Sequence, residues 1–424
     1  NTGSDEFLYK DRYQHSSWLS MMADRLALAR ETLRNDGVIF VSIDDNEVHN
    51  LRHLMDMVYD SANFEFIIEW QARKSVSSDA LLSYSQNHLL LYAKDKTTVD
   101  RQKANWRLPM TEGRGEEFAN PDNDPRGPWK LEPLDAPEIR PNLEYPIVNP
   151  KTGKTYLPTK GRHWRFPKEV MDRLLEEGRI VFGKTGKGRP ALKRYLSEIE
   201  ERGQVVTTWW DDVETTTDGT KLLQDIMGEK TFNNPKPVGL IVRICQLATS
   251  RDDVVLDFFA GSGTTAHAVI NLNREDSGKR KYILVEMGDW FETVMLPRIK
   301  KVVFCEKWKD GKPNGGNGVS HFLKYLYLEQ YEDTLNNLEL PREREGQLAW
   351  ERFGDEYLLR YMLDFETQGS PSLLNLEQFQ DPFAYKLKVQ EGDEIRERVV
   401  DLVETFNYLL GIHVKKMRQF QDNG

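Results

Sequence analysis

Apolar side chains at Trp18, Met22, Leu26, Ala29 and Leu33 step by three and four, predicting a helix from about Ser16 to Asn35 with one buried face. Asp36-Gly37 stops it, and the unbroken run Val38-Ile39-Phe40-Val41-Ser42-Ile43 reads as a short strand of the buried type. Asp44, Asp45 or Asn46 can cap the next helix, whose inner positions are Val48, Leu51, Leu54, Met55 and Val58. Two more strands follow, from Phe64 to Trp70 and from His88 to Tyr92. Helix, strand, helix, strand, strand predicts half of an α/β sheet over residues 1–96.

The pattern then fades. Over residues 97–225 Pro and Gly become dense, and aromatic residues (Trp106, Trp129, Tyr156, Trp164, Phe166) alternate with basic ones, which predicts an inserted module. The α/β pattern resumes in the segment 226–310. Pro237 suits the first turn of a helix running to about Ala248, with Leu240, Ile241, Ile244 and Leu247 inward. Val254–Phe258 is a strand, a Gly-rich turn and helix follow, and Lys281–Glu286 is the next strand. The last segment, 311–424, opens on a Gly-rich linker and ends in a predicted long helix carrying Val399, Val400, Leu402, Val403, Phe406 and Leu409. No internal repeat is found.

At 424 residues the chain is long enough for two to four domains, and 39% hydrophobic with 30% charged residues is an ordinary globular balance. No stretch approaches the roughly 20 apolar residues that would cross a membrane, and Asn1 to Lys10 has no signal-peptide pattern. Cys245 and Cys305 stand alone in sequence, with no metal-ligand or disulfide spacing, so no metal site is expected and a reducing cytoplasm fits best. The net charge of −10 argues against nucleic acid until its distribution is considered. Residues 151–194 hold thirteen Lys/Arg against four acids, a local balance of +9, and phosphates respond to that local field.

Candidate chemistry is densest at Leu256-Asp257-Phe258-Phe259-Ala260-Gly261-Ser262-Gly263-Thr264-Thr265-Ala266. A strand ends, two glycines make a tight turn where a Cβ would block close approach to a ligand, and a helix begins. Glu286, closing the next strand, can accept hydrogen bonds from two ribose hydroxyls. These parts predict a nucleoside cofactor. Ala266-His267 excludes a phosphate loop of the Gly-Lys-Ser/Thr kind, whereas the Gly-x-Gly-x-x-Ala pattern leaves a nicotinamide dinucleotide open. Asp257 tilts the choice, because its carboxylate would repel a pyrophosphate but can pair with the ammonium group of S-adenosylmethionine. Read structurally, it is a turn or helix-capping carboxylate.

The stretch Asp257–Thr265 resembles the cofactor motif of amino-methylating DNA methyltransferases, and Asn234-Pro235-Lys236-Pro237 resembles the preceding motif that completes the cofactor pocket. This order matches the permuted beta class. More specifically the chain resembles the modification subunit of type III restriction-modification systems, through Tyr145–Lys154, Leu192–Glu198, Tyr331–Asn337 and Asp401–Gly411. The resemblance implies a Rossmann-like α/β methyltransferase sheet, a target-recognition domain at 97–225, and an α-rich C-terminal assembly region. It implies Asp257, Phe258, Gly261, Gly263, Thr264, Glu286, Lys236 and Pro237 as binding residues for S-adenosylmethionine. Its expected partners are double-stranded DNA, a second copy of the chain, and a nuclease-helicase restriction subunit.

The family's catalytic motif is Asp-Pro-Pro-Tyr, commonly followed by Asn-Thr-Gly. This sequence opens on Asn1-Thr2-Gly3 and contains no Pro-Pro-Tyr, Pro-Pro-Phe or Pro-Pro-Trp. That motif stacks the flipped base and accepts hydrogen bonds from its amino group, so the 424-residue chain is expected to transfer little or no methyl. Adenine is the expected target, with the amino group of cytosine as the alternative. Asn1 and Asp44 are candidate walls of the active site, although Asp44 equally suits a helix cap. Arg73 and Lys74 follow a strand and can meet a phosphate. In the basic module Arg162, Trp164, Arg165, Lys184, Lys187 and Arg189 are the candidate DNA contacts. Two other classes remain open: a nicotinamide-dependent oxidoreductase and a DNA-binding protein without catalysis.

Overall fold

The periodic face of the first helix is buried as spaced: α1 spans His15–Thr32 and encloses Trp18, Met22, Leu26 and Ala29. This is a computed structural model, and it describes residues 15–328 except 77, 79, 80, 103, 110–116 and 184–187, then 333, 337, 381, 383–391, 394–412 and 415. Strand β1 (Val38–Ile43) and helix α2 (Val48–Tyr59) follow, and α1 and α2 share a core with Leu90 and Tyr92. Strands β2 (Phe64–Gln71) and β3 (Gln86–Ala93) complete the first layer. β3 is central, with β1 and β2 each antiparallel to it, and Leu89 to Ala93 are all buried. β1 is half-buried, with only Ile39 enclosed, rather than of the buried type. Its second edge is unpaired among the described residues and lines a cleft.

After the short helix α3 (Lys96–Arg101) comes the inserted module. It contains β4 (Trp129–Pro133), β5 (Asp135–Pro137), β6 (Ile147–Val148), β7 (Thr155–Tyr156), β8 (Arg162–Trp164), α4 (Lys168–Glu176), β9 (Ile180–Val181), β10 (Ala191–Tyr195) and α5 (Leu196–Arg202). The pairs β4-β10-β9, β5-β8 and β6-β7 surround a core of their own, centred on Leu134, Trp164, Met171 and Leu192. The sheet resumes inside the span expected for the insertion. β11 (Trp209–Trp210) lies parallel to β2, and Trp210 packs beside Trp70 in a core that also holds Leu240. Two residues carry no periodicity, so nothing in the pattern marks this return.

The second α/β half follows α6 (Thr216–Met227) and consists of α7 (Val238–Ala248), β12 (Val254–Asp257), α8 (Thr264–Asp276) and β13 (Lys281–Leu284). β12 and β13 are parallel, with Asp257 opposite Leu284, and β13 ends two residues before the expected Glu286. Cys245 on α7 and Val269 and Leu272 on α8 pack against Val255 and Tyr282, one face of this pair. A π-helical turn at Phe291–Met295 leads into α9 (Leu296–Phe304) and the small hairpin of β14 (Trp308–Lys309) and β15 (Lys312–Pro313).

The chain divides into two compact units between Ser320 and His321. In the second, β16 (Lys386–Glu391) and β17 (Glu394–Val399) form an antiparallel hairpin, and α10 covers Leu402–Leu409. The expected long final helix is therefore corrected: Val399 ends a strand. Glu394–Val399 pairs along its length with β16, and Asp401 starts a separate helix by accepting a hydrogen bond from the Glu404 amide at 3.0 Å. Most of the Tyr331–Asn337 stretch lies outside the described residues.

Candidate active site

The turn between β12 and α8 is built around two left-handed glycines, Gly261 (φ +53°) and Gly263 (φ +77°). A Cβ on Gly263 would come within 2.8 Å of Met295 Cγ, so both backbone conformation and space require glycine there. Asp257, the last residue of β12, braces the turn it precedes. Its Oδ1 accepts from the Phe259 amide (3.1 Å), and its Oδ2 accepts from the Thr265 hydroxyl (2.5 Å). The structural reading of Asp257 as a turn carboxylate is thus realised, and the same carboxylate also lines the cleft. Desolvation raises its pKa, partly offset by those two hydrogen bonds, and Glu286 raises it further.

Glu286 is the second acid of the cleft. Its Oε2 accepts from the Gly261 amide (2.7 Å), and its Oε1 accepts from the amides of Met287 and Gly288 (both 2.9 Å). It therefore pins the glycine turn to the segment after β13. A carboxylate offers about four acceptor positions, so three amides leave room for a ligand hydroxyl.

Thr264 opens α8 and donates from Oγ1 to the Lys236 carbonyl at 3.1 Å. This joins the glycine turn to Asn234–Pro237. Pro237 is buried and caps α7. The Lys236 ammonium lies 5.4 Å from the centre of the Trp70 ring. Burial pushes its pKa down to about 8, against an opposing effect from Asp44. Phe258 packs into the core shared by α1 and α2 and lines the cleft with its backbone neighbours.

Asp257, Phe258, Gly261, Thr264, Glu286 and Lys236, but not Gly263 or Pro237, border one cleft of about 1720 Å³, which runs between the carboxyl ends of β1 and β12 and along their facing edges. Asp44 and Arg73 border it too. Asp44 Oδ1 accepts from the Asn46 amide at 3.1 Å in the turn ahead of α2, and the expected cap at 44–46 is corrected, because Glu47 holds the N-cap position of that helix. Lys74 is exposed outside that lining, and Asn1 lies outside the described residues.

In the inserted module the structure separates the expected DNA contacts. Trp164 is corrected: it is 1% exposed, its indole donates to the Tyr145 carbonyl at 2.7 Å, and it fills the module's core. Arg162 donates to the Asp135 carbonyl (3.1 Å), Arg165 to the Pro133 carbonyl (3.0 Å) and Glu132 (3.2 Å), and Arg189 to the Leu157 carbonyl (3.0 Å). Arg165 and Arg189 stay exposed while so tethered. Lys184 and Lys187 lie outside the described residues.

Two groups escaped the sequence reading. His88 Nε2 meets Asp45 Oδ1 at 2.9 Å while Nδ1 meets Glu69 Oε1 at 3.0 Å, bracing the ends of three strands beside the cleft. Arg298 on α9 reaches the back of the glycine turn. Partners of the His88 and Arg298 side chains stand nineteen or more positions away, and no local pattern signals them. Among the described residues no cluster of side chains suits a metal ion, and no helix is long and apolar enough to cross a membrane.

The chain is 34% identical over 400 residues to the Type III restriction-modification enzyme StyLTI Mod subunit of Salmonella typhimurium, covering 82% of this chain and 60% of that one. Identity to the EcoP15I Mod subunit of Escherichia coli is 29% over 321 residues, 67% of this chain and 48% of the relative. The Type II methyltransferase M.KpnI of Klebsiella pneumoniae is 32% identical over 302 residues, 64% of this chain and 67% of its own length. The chain thus spans about half to three fifths of the two type III relatives. A family model described as DNA methylase matches residues 1–295, which takes in β1, the inserted module, the glycine turn and Glu286. On that match, and with its two acids and glycine turn gathered at one cleft, the chain belongs to the DNA methylase family.

Proposed function

We propose that this protein is the methyltransferase part of a type III restriction-modification system, acting on the exocyclic amino group of adenine in duplex DNA, with S-adenosylmethionine as methyl donor. The observation that carries this reading is the convergence of Asp257, Glu286, the Gly261–Thr264 turn and the Lys236 segment on one cleft. The residues present fit such a donor. Desolvated Asp257 suits an ammonium group, Glu286 has acceptor capacity left for ribose hydroxyls, and the left-handed glycines let a ligand approach the backbone. Bound there, S-adenosylmethionine supplies an electrophilic methyl on a sulfonium that is already a good leaving group.

The chain's own residues then serve to position and to enclose. Asp44 and Arg73 form the wall on the β1 side, where an extruded base would enter and its phosphate could meet the guanidinium. The inserted module, with exposed Arg165 and Arg189 and the basic stretch around Lys184 and Lys187, is the target-recognition domain, and Arg162 supports it from within. Residues 321–424 serve assembly, as a homodimer and with a nuclease-helicase subunit, in the cytoplasm. Similarity to the two Mod subunits supports the type III assignment, and similarity to M.KpnI supports a second reading as a methyltransferase acting without such a subunit.

Calorimetric titration with S-adenosylmethionine and with NAD tests the reading, with Asp257→Ala as control. S-adenosylmethionine binding that the substitution abolishes is expected. Binding of NAD alone would overturn the reading in favour of an oxidoreductase. If neither ligand binds a folded sample, DNA binding without catalysis takes its place.

A further inference from the structure

Arg298 has no exposed surface, yet it belongs to the site. Its Nη1 donates to the Ser262 carbonyl (3.2 Å), the Ser262 hydroxyl (2.8 Å) and the Thr264 hydroxyl (3.0 Å), and its Nη2 faces His267 Nδ1 at 3.4 Å. Ser262 and Thr264 border the cleft, whereas Arg298 stands one layer behind them. Since Thr264 passes its own hydroxyl proton to the Lys236 carbonyl, one guanidinium ties α9, the glycine turn and the Lys236 segment together.

The electrostatics of this arrangement are unusual. Enclosed arginines normally meet a carboxylate, because an uncompensated buried charge is costly. Here the partners among the described residues are hydroxyls, a carbonyl and an imidazole. The imidazole is no counter-charge: burial, then the fields of Arg298 and Arg274, hold His267 far below its ordinary pKa, and it is neutral. Burial pushes Arg298 itself down to about 9, still a cation at neutral pH. A fixed positive charge thus stands behind the first turn of α8, where the helix dipole adds in the same sense.

We infer that Arg298 is a positioning and specificity-determining residue of this turn: its fork fixes Ser262 and Thr264, and its uncompensated charge makes the cleft in front of them favour a ligand bearing a carboxylate. The inference rests on the S-adenosylmethionine reading, whose amino-acid end carries such a group. A purely structural Arg298 would matter equally for any ligand of the turn, whereas a charge acting through the turn discriminates.

The test compares S-adenosylmethionine with decarboxylated S-adenosylmethionine, which keeps the nucleoside, sulfonium and ammonium and lacks only the carboxylate. Calorimetry on the wild-type chain and on Arg298→Met, which loses both fork and charge, is expected to show both ligands weakened, S-adenosylmethionine roughly tenfold more than the decarboxylated ligand. Arg298→Lys keeps the charge and loses the fork, so it is expected to weaken both ligands while preserving their ratio. Equal weakening of both ligands in Arg298→Met, or no change in either, overturns the inference and leaves the cofactor reading intact. A wild-type chain that binds neither overturns the cofactor reading itself. Should Arg298→Met not fold, Arg298→Lys decides, since a collapsed ratio there would also overturn the inference.

Discussion

Gly263 combines a left-handed backbone with a Cβ position only 2.8 Å from Met295 Cγ. Gly263→Ala is therefore expected to lower stability by about 1–3 kcal/mol, read by denaturant unfolding, and to weaken cofactor binding in the same sample. Asp257 predicts the opposite coupling. Burial raises its pKa above the ordinary carboxylate value, so the folded chain holds that proton more tightly than the unfolded chain. Stability from this group is present at low pH and is lost as pH rises through the raised value. Asp257→Asn removes that loss while keeping the acceptor toward the Phe259 amide. At neutral pH the variant is expected to unfold at or above the wild-type midpoint and yet to bind no S-adenosylmethionine; a lower midpoint with binding retained would contradict both halves. Asp257, Glu286 and the glycines were legible because one short strand-turn-helix needs particular residue types at consecutive positions. Arg298 was not, since an arginine thirty-four positions from its partner Thr264 looks like any other basic residue on a helix. Trp164 misled because an aromatic between two basic residues suits a nucleic acid surface and a module core equally well.

At the scale of elements, the His88 brace joins the loop after β1, β2 and β3 through Asp45 and Glu69. Desolvation lowers the His88 pKa, but hydrogen bonds to the two carboxylates outweigh it, and the net shift is upward. A raised histidine stabilises fully below its unfolded value of about 6.5, and that stability is lost as pH rises through the folded value. His88→Gln is thus expected to cost about 1 kcal/mol near pH 6 and less above pH 8, because both carboxylates are partly open to solvent and screened. A cost that stays level across that range would show that the imidazole acts only by packing. Elements with a long period were read well: α1, α2 and α7 lie where their apolar spacing puts them. Those defined by pairing were not. The two-residue β11 has no pattern of its own, and β17 was absorbed into a helix because Val399-Val400 stands next to the apolar run of α10. With Ile395 and Val399 its two apolar residues and Glu397 between them, β17 has no alternation to set against that run.

At the scale of the first unit, β1 and β12 both turn unpaired edges, among the described residues, toward the same cleft. One face of β12 and β13 packs on α7 and α8, while Val254, Leu256, Ile283 and Val285 on the other are 55%, 38%, 53% and 52% exposed. The exposed ion pair between Arg34 and Asp253, 2.9 Å long, spans from the end of α1 to the start of β12, and such a contact adds little stability. Apolar surface and open strand edges of this kind are a liability to a protein in water. The 424-residue chain is accordingly expected to bind a hydrophobic dye in native buffer and to melt over a broad range. A ligand that binds only the folded form adds stability by mass action, about 2.7 kcal/mol at a hundred times its dissociation constant. Saturating S-adenosylmethionine should therefore raise and sharpen the melt by filling the cleft at the β12 end. The dye signal from Val254, Ile283 and Val285 should persist, since those side chains lie along the strands rather than at the turn. A sharp, reversible transition with no dye signal before the ligand is added would mean that these edges are already covered in solution.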